Sequence, residues 1–361
     1  MGLTLRWDIT KKCNLKCKHC SAYEDMSEPL NLELPFQKKL LILDKISKEK
    51  VSLLKIYGGE PFLIDDLSKF IDEAYIRNIP VGITTNGTIC INETLSEQII
   101  LGKLRYITFS LDSINDEINS ILRPKNTTNI VLQNIINIIN IRDNNNLPIK
   151  IAINCVLNNI NYLTIESILD FCLKHKIDKI SFSCLVPRGR AKNLKHLIPK
   201  PESLIKAAEI IAKFYTDKLY NSSLTIEPFF VPAIVADYVK TIKKLDFPIV
   251  SYFCRASTEN GYIDEKGNLY PCESLANYFM VNNNNLIENS FRDIWNSPTF
   301  NSIFQKIESG DNFTSKLCNT CKYRNNGCYP CMNWSIKPQI CEFLRKEYPS
   351  LFEINNENTK M

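Results

Sequence analysis

Three cysteines, Cys13, Cys17 and Cys20, sit within DITKKCNLKCKHC at residues 8–20, spaced by three residues and then two. Thiolates at that spacing suit part of a zinc site, an iron–sulfur cluster, or a loop with no metal at all. Structural zinc takes four ligands, and His19, between Cys17 and Cys20, would be cramped in one tetrahedron with both. A [4Fe–4S] cluster normally takes four cysteines; with three, one iron keeps an open position for a chelating ligand. A second set, Cys254, Cys272, Cys318, Cys321, Cys328, Cys331 and Cys341, lies toward the carboxy terminus. Within it, Cys318-x2-Cys321-x6-Cys328-x2-Cys331 has the spacing of a small four-cysteine zinc site. That reading leaves Cys254, Cys272 and Cys341 without a role.

Composition narrows the setting. The chain has 361 residues, 44% of them apolar, enough for one large domain and a smaller one. A net charge of +5, from 44 basic and 39 acidic residues without a basic stripe, argues against nucleic acid as the main partner. No apolar run has transmembrane length, and the opening residues form no signal peptide. Fourteen cysteines, ten of them in two groups, point in such a chain to metal in a reducing cytoplasm rather than to disulfides.

The elements that must position these thiols alternate in type. Strand-like runs at Leu3–Thr10, Leu53–Tyr57, Val81–Asn86, Tyr106–Asp112, Ile149–Val156 and Lys179–Leu185 alternate with helical patterns such as Leu34–Lys48, Leu67–Arg77 and Tyr162–His175. This predicts an α/β fold with a parallel sheet and right-handed crossovers. Several runs alternate apolar and polar residues instead of being apolar throughout, as strands buried on both faces usually are. Ile107, Phe109 and Leu111 oppose Thr108, Ser110 and Asp112; Leu3, Leu5, Trp7 and Ile9 oppose Thr4, Arg6, Asp8 and Thr10. One face is therefore expected to pack on helices while the other lines a polar, ligand-holding lumen. The same alternation puts Cys155 and Cys184 on the helix side as small buried hydrophobes, and Cys90 and Cys172 are read alike. The asparagines of the Ile-rich helix over 129–146 read as composition drift.

The first motif, in a loop after strand one, resembles the signature of the radical S-adenosylmethionine (SAM) superfamily. The resemblance implies a partial (β/α)6 barrel and a [4Fe–4S] cluster on Cys13, Cys17 and Cys20 whose open iron chelates SAM. It also implies reductive cleavage of SAM to a 5′-deoxyadenosyl radical that abstracts hydrogen. YGGEP (57–61) ends strand two; its Gly58, Gly59, Glu60 and Pro61 match the family motif for the SAM amino group. Thr85 and Asn86 of TTNG, with Ser110 and Asp112 of SLDS, match further family positions at strands three and four, the latter pair suited to ribose hydroxyls. Arg123 is a candidate partner for the SAM carboxylate, and Asn154 and the backbone near Leu185 for the adenine.

The second set resembles the SPASM domain, through Cys254, Gly267 and Cys272, and through FRDIWNSPTF at 291–300. The gap from Cys328 to Cys331 is one residue shorter than the usual pattern. The resemblance implies two auxiliary [4Fe–4S] clusters, one on Cys318, Cys321, Cys328 and Cys341, the other on Cys254, Cys272 and Cys331 with its fourth ligand open. It implies a barrel over 1–200, a helical linker over 201–249, a SPASM domain over 250–345 and a tail over 346–361, with disorder of that tail an open reading. The expected activity is oxidative modification of a ribosomally made peptide, by thioether or carbon–carbon crosslinking or by epimerisation, with Glu273 as candidate base. The alternatives are sulfatase maturation, biosynthesis of a small-molecule cofactor, and a non-catalytic iron–sulfur or zinc module. VPRGRA (186–191) fits more than one of these. Strand one opens near Leu3, which predicts no fused leader-binding domain. A separate leader-recognition protein, or direct binding of a short precursor, is expected instead, along with a reductase such as flavodoxin or ferredoxin.

Overall fold

The computed structural model describes residues 2–23, 33–89, 102–219, 222–228, 232–247, 255–276, 282–309, 316–319, 321–324, 328 and 336–352. The first half alternates β1 (Leu3–Asp8), α1 (Phe36–Ser47), β2 (Val51–Tyr57), α2 (Leu67–Ile76), β3 (Val81–Thr85), β4 (Leu104–Ser110), α3 (Thr128–Asn144), β5 (Lys150–Leu157), α4 (Ile165–Lys174) and β6 (Lys179–Cys184). After these come α5 (Pro201–Lys218), β7 (Thr225–Pro228), α6 (Ala233–Thr241), β8 (Asn260–Ile263), β9 (Leu269–Tyr270), α7 (Pro298–Ser309) and α8 (Ile336–Glu347). Among the described residues no helix is long and apolar enough to cross a membrane.

One open sheet runs through the molecule in the order β7-β6-β5-β4-β3-β2-β1-β8-β9. Neighbouring strands from β7 through β8 pair in parallel, and β9 turns back antiparallel on β8. The six expected strands are all present and adjacent in chain order, and the sheet does not close. Three strands, β7, β8 and the short β9, exceed the expectation. β7 lies inside the stretch expected to be a helical linker, and β8 adds to the free side of β1, matching Leu5 with Gly261 and Trp7 with Ile263.

Alternation sorts the two faces as a pleat requires. Leu5, Trp7, Ile107 and Phe109 are buried toward the helices. α2 contributes Leu67, Phe70, Ile71 and Ala74, and α4 contributes Ile165, Ile168, Leu169 and Cys172. Both sets follow the i, i+3, i+4, i+7 stripe of a helix with one apolar face. Trp7 meets Phe70 edge-on at 5.5 Å between ring centroids. Cys155, Cys172 and Cys184 are buried in this core; Cys90 lies outside the described residues.

Residues 346–352, placed in the tail by sequence, are folded. α8 continues to Glu347, a turn of 3-10 helix spans Pro349–Phe352, and the Tyr348 ring lies 4.9 Å from that of Tyr238 on α6. Residues 353–361 lie outside the described set.

α1 carries an unusual core residue. Lys39 is 0% exposed, with its ammonium 2.7 Å from Glu33 and 2.8 Å from Asp66. Glu33 also accepts from the Thr10 hydroxyl at 2.9 Å, so the buried cation anchors the start of the cysteine loop. Removing one partner of a buried ion cluster leaves uncompensated charge. Lys39→Met is expected to cost about 3–5 kcal/mol in chemical denaturation; a loss under about 1 kcal/mol would show that the carboxylates are already solvated.

Candidate active site

The carboxyl ends of β1 to β6 surround a cavity of about 400 Å³, where parallel α/β sheets place their ligands. The loop after β1 brings Cys13, Cys17 and Cys20 to its wall. Burial pushes the Cys13 thiol up to about 11 and raises that of Cys17. Thiols so desolvated remain protonated unless a cation compensates the thiolates, which a metal centre does. His19 is turned to Asp112, with 3.6 Å between Nε2 and the carboxylate. Burial lowers its pKa to about 4 and keeps it neutral.

Gly58 and Gly59 line the wall facing the thiols. Gly58 has φ +132°, and a Cβ on Gly59 would lie 2.1 Å from the Lys12 carbonyl oxygen. The close approach is fixed by the Gly59 and Glu60 amides, which donate to Thr10 O and Lys12 O, each at 2.7 Å. The motif's backbone is thus fastened to the cysteine loop, and only glycine fits there. These observations fit an iron–sulfur centre on the three cysteines with a small chelating ligand against the paired glycines.

Glu60 and Pro61 do not line the cavity. Pro61 opens a turn of 3-10 helix, Pro61–Leu63. Glu60 is fully buried and accepts from the Thr85 hydroxyl at 2.8 Å, the Asn86 amide at 2.7 Å and the Phe62 amide at 3.2 Å. Its carboxylate ties the end of β2 to the end of β3, where Thr85 and Asn86 reach the cavity. Burial raises its pKa to about 7. A carboxyl whose folded pKa lies above its unfolded value binds more protons in the folded state, so stability declines as pH rises from about 4.5 through 7. Glu60→Gln is expected to flatten the dependence of melting temperature on pH across this window. It should also cost about 1–3 kcal/mol, because its NH2 cannot accept from the Asn86 amide. An unchanged pH profile would contradict this.

Asn134 of α3 donates to the Gly87 carbonyl at 2.8 Å. This corrects the reading of that helix's asparagines as drift, since this one supports the TTNG turn.

Ser110, Asn154 and Leu185 line the cavity, and so does Arg123. Asp112, expected beside Ser110 at the ribose, stands behind the wall. It is 3% exposed, accepts from Arg123 Nε at 2.7 Å and from the Val156 amide at 2.9 Å, and so orients Arg123 rather than meeting a ligand. Leu185 donates its amide to Leu157 O at 2.8 Å, so that amide is already engaged within the sheet end.

Glu273, in the one-turn helix Glu273–Ala276 after β9, closes one side. Its carboxylate pairs with Arg6 of β1, which reaches Asp8 at 3.1 Å, and Asp8 accepts from Tyr262 of β8 at 3.0 Å. Glu273 also borders a second cavity of about 230 Å³, which shares Ser21, Gly58, Gly59 and Arg188 with the first and extends to Tyr262 and Tyr270. VPRGRA has a clear place in this frame. Gly189, at φ +53°, packs where a Cβ would lie 2.5 Å from the Cys20 carbonyl oxygen. The Arg190 amide donates to that same oxygen at 3.1 Å, and Arg188 donates to the Ser274 hydroxyl at 3.0 Å. Sequence reasoning left Arg6 and Arg188 without roles, although Arg6 already stood on the polar side of the β1 alternation.

Cys272 immediately precedes Glu273. Cys318, Cys321 and Cys328 lie in the 316–328 region, and Cys341 is carried by α8. All are partly exposed. Cys254 and Cys331 lie outside the described residues. Among the described residues no three His, Cys, Asp or Glu side chains are grouped as a site for a metal ion.

Residues 7–172 match the radical SAM superfamily and residues 254–322 match SPASM, an iron–sulfur cluster-binding domain. The chain carries a radical SAM domain and a SPASM domain. The open parallel sheet belongs to the radical SAM domain, and β8, at the start of the SPASM match, joins that sheet directly. Its fold is similar to that of Streptococcus suis SuiB bound to S-adenosylmethionine, with TM-score 0.69 and 19% identity over 90% of this chain and 71% of that one. It is also similar to anSMEcpe with bound AdoMet, with TM-score 0.69 and 17% identity over 97% and 98%. At these identities the likeness concerns fold alone. Among relatives by sequence, Fe-coproporphyrin III synthase of Methanosarcina barkeri is 27% identical over 221 residues, 61% of this chain and 53% of that protein. The chain thus spans about half the length of that relative.

Proposed function

We propose that the protein binds SAM and iron–sulfur clusters and oxidatively modifies a peptide. The observation that carries the reading is the three-thiol cavity facing paired glycines and continuing past Glu273 to the SPASM strands. Cys13, Cys17 and Cys20 would hold the SAM-binding cluster, with the Gly58–Gly59 backbone and Arg123 receiving the amino and carboxylate ends of SAM, and Ser110 and Asn154 its nucleoside. When bound, the cluster supplies the electron that cleaves SAM reductively. Asp112 fixes the Arg123 guanidinium, and Glu60 holds the β3 end in place. Arg6 engages Glu273 Oε2, while among the described residues Oε1 has only the Ser21 hydroxyl, at 3.4 Å. Oε1 is therefore the atom placed to take a substrate proton. Cys272, Cys254 and Cys331, and separately Cys318, Cys321, Cys328 and Cys341, would hold two auxiliary clusters that receive electrons from substrate.

Support for a peptide comes from SuiB, also solved with the precursor peptide SuiA, and from anSMEcpe, also solved with Cp18Cys peptide. A reductase of the flavodoxin or ferredoxin type and a separate leader-recognition protein complete the expected partners, in the cytoplasm. Similarity to Fe-coproporphyrin III synthase favours a second reading, in which the substrate is a tetrapyrrole.

Anaerobic holoenzyme given dithionite, SAM and a short peptide encoded beside its gene is expected to release 5′-deoxyadenosine. The peptide should come back dehydrogenated or labelled with solvent deuterium. Conversion of a tetrapyrrole to iron coproporphyrin III with no change to peptide would replace the first reading by the second. Absence of SAM cleavage would end both.

A further inference from the structure

Below the active-site cavity the lumen continues as a pocket of about 210 Å³, reached past Tyr57, Thr84 and Asn154, which border both spaces. Its charged residues are Lys55, Lys179 and Glu227. Glu227 is already engaged, 2.8 Å from the Lys179 ammonium and 3.1 Å from the Ser181 hydroxyl. Lys55 differs. It stands in the middle of β2, in register with Arg6 on one side and Gly82 on the other. Arg6 is matched by Asp8 and Glu273, and Gly82 offers no side chain. Among the described residues Lys55 has no ion-pair or hydrogen-bond partner, and it is half-buried.

A lysine at an open surface needs no partner, whereas half-buried Lys55 on the wall of this pocket stands where an anion would find a counter-charge. The pocket's charged set sums to one excess positive charge, and the Tyr106 and Thr108 hydroxyls on its wall can donate to an anion. We propose that this lower lumen holds a carboxylate of the substrate against Lys55. The inference deepens the proposed function by naming a chemical feature of the substrate. Lys55 and Tyr57 are two residues apart on one strand face, roughly 7 Å. A carboxylate on Lys55 would therefore leave carbons one side-chain length away at the floor of the upper cavity. An acidic peptide side chain and a propionate of a tetrapyrrole present the same group, so Lys55 is a specificity residue under either source.

Binding can be read without turnover, on anaerobic holoenzyme without reductant. The probes are Nα-acetyl-glutamate amide, its glutamine counterpart, and coproporphyrin III, with affinities from ligand-observed NMR and, for the porphyrin, fluorescence. Wild-type protein is expected to prefer the glutamate probe, the porphyrin or both over the glutamine probe. Lys55→Met should weaken carboxylate binding roughly ten- to hundredfold and leave the glutamine probe unchanged, whereas Lys55→Arg, which keeps the charge, should retain most of the preference. Preference for the glutamate probe identifies a peptide source, and for the porphyrin alone a tetrapyrrole. Equal binding of glutamate and glutamine probes with no porphyrin binding, or carboxylate binding that survives Lys55→Met, overturns the proposal. Since 5′-deoxyadenosine release is measured separately, holoenzyme that cleaves SAM yet ignores carboxylates refutes this inference alone.

Discussion

Replacing Cys13, Cys17 and Cys20 together by alanine is expected to abolish reductive SAM cleavage while iron remains in the protein. The three thiols line the upper cavity at the end of β1. Cys318, Cys321 and Cys341, by contrast, lie after residue 315, with Cys341 on α8. Under the three-cluster proposal iron falls from about twelve to about eight per chain, and 5′-deoxyadenosine release under dithionite drops to background. The stability cost should be small, because all three cysteines are only partly buried and none belongs to the apolar core. Release that persists in the triple variant would mean the cavity has been misread. Iron that vanishes altogether would mean the carboxy-terminal cysteines hold none.

Gly59→Ala is expected to be nearly as severe through one methyl group. The new Cβ would stand 2.1 Å from Lys12 O and 2.7 Å from the Tyr23 hydroxyl. The first is backbone, and the second is tied to the Lys11 carbonyl, so neither neighbour yields by a rotamer change. The cysteine loop and the β2 end must separate, at about 1–3 kcal/mol, with loss of the paired amide bonds to Thr10 O and Lys12 O. SAM affinity, measured by equilibrium dialysis on reconstituted protein, should fall at least about a hundredfold, some 3 kcal/mol. A variant that binds SAM as the parent does would show that the motif's glycines serve only the turn.

The strands around the site were legible because a pleat repeats every two residues, and β1, β4 and β5 carry that period over six residues or more. β7 and β8 were not legible. Each is four residues long, and β8 finds its partner β1 across some 250 residues, a pairing that leaves no local pattern. Cys13, Cys17 and Cys20 stood out by residue type and spacing, whereas Gly58 and Gly59 were singled out by resemblance to the family motif, because adjacent glycines alone also suit an ordinary turn. Asp112 was misplaced for a physical reason. Its position in the alternation is polar, but polarity does not say whether a side chain meets a ligand or a neighbouring arginine. Likewise nothing in GGEP reveals that Glu60 turns away from the cavity, because two of the three donors it satisfies, Thr85 and Asn86, lie at the end of another strand. Asn134 was hidden by its surroundings, one useful amide among many asparagines.

The seam between β1 and β8 also bears on how the protein can be cut or evolve. β1 would be the last parallel strand of its sheet were β8 absent, with a row of unsatisfied amides and carbonyls exposed beside Leu5 and Trp7. Open edges of that kind recruit strands from other molecules. A chain trimmed before residue 255 should therefore self-associate rather than behave as an isolated catalytic unit. Gly261, whose Cβ would press at 2.8 Å on both Leu5 and Trp295, marks where the two parts are sutured. A carboxy-terminal module exchanged between relatives would therefore have to remake this seam, with a residue small enough at 261 to pass Leu5 and Trp295.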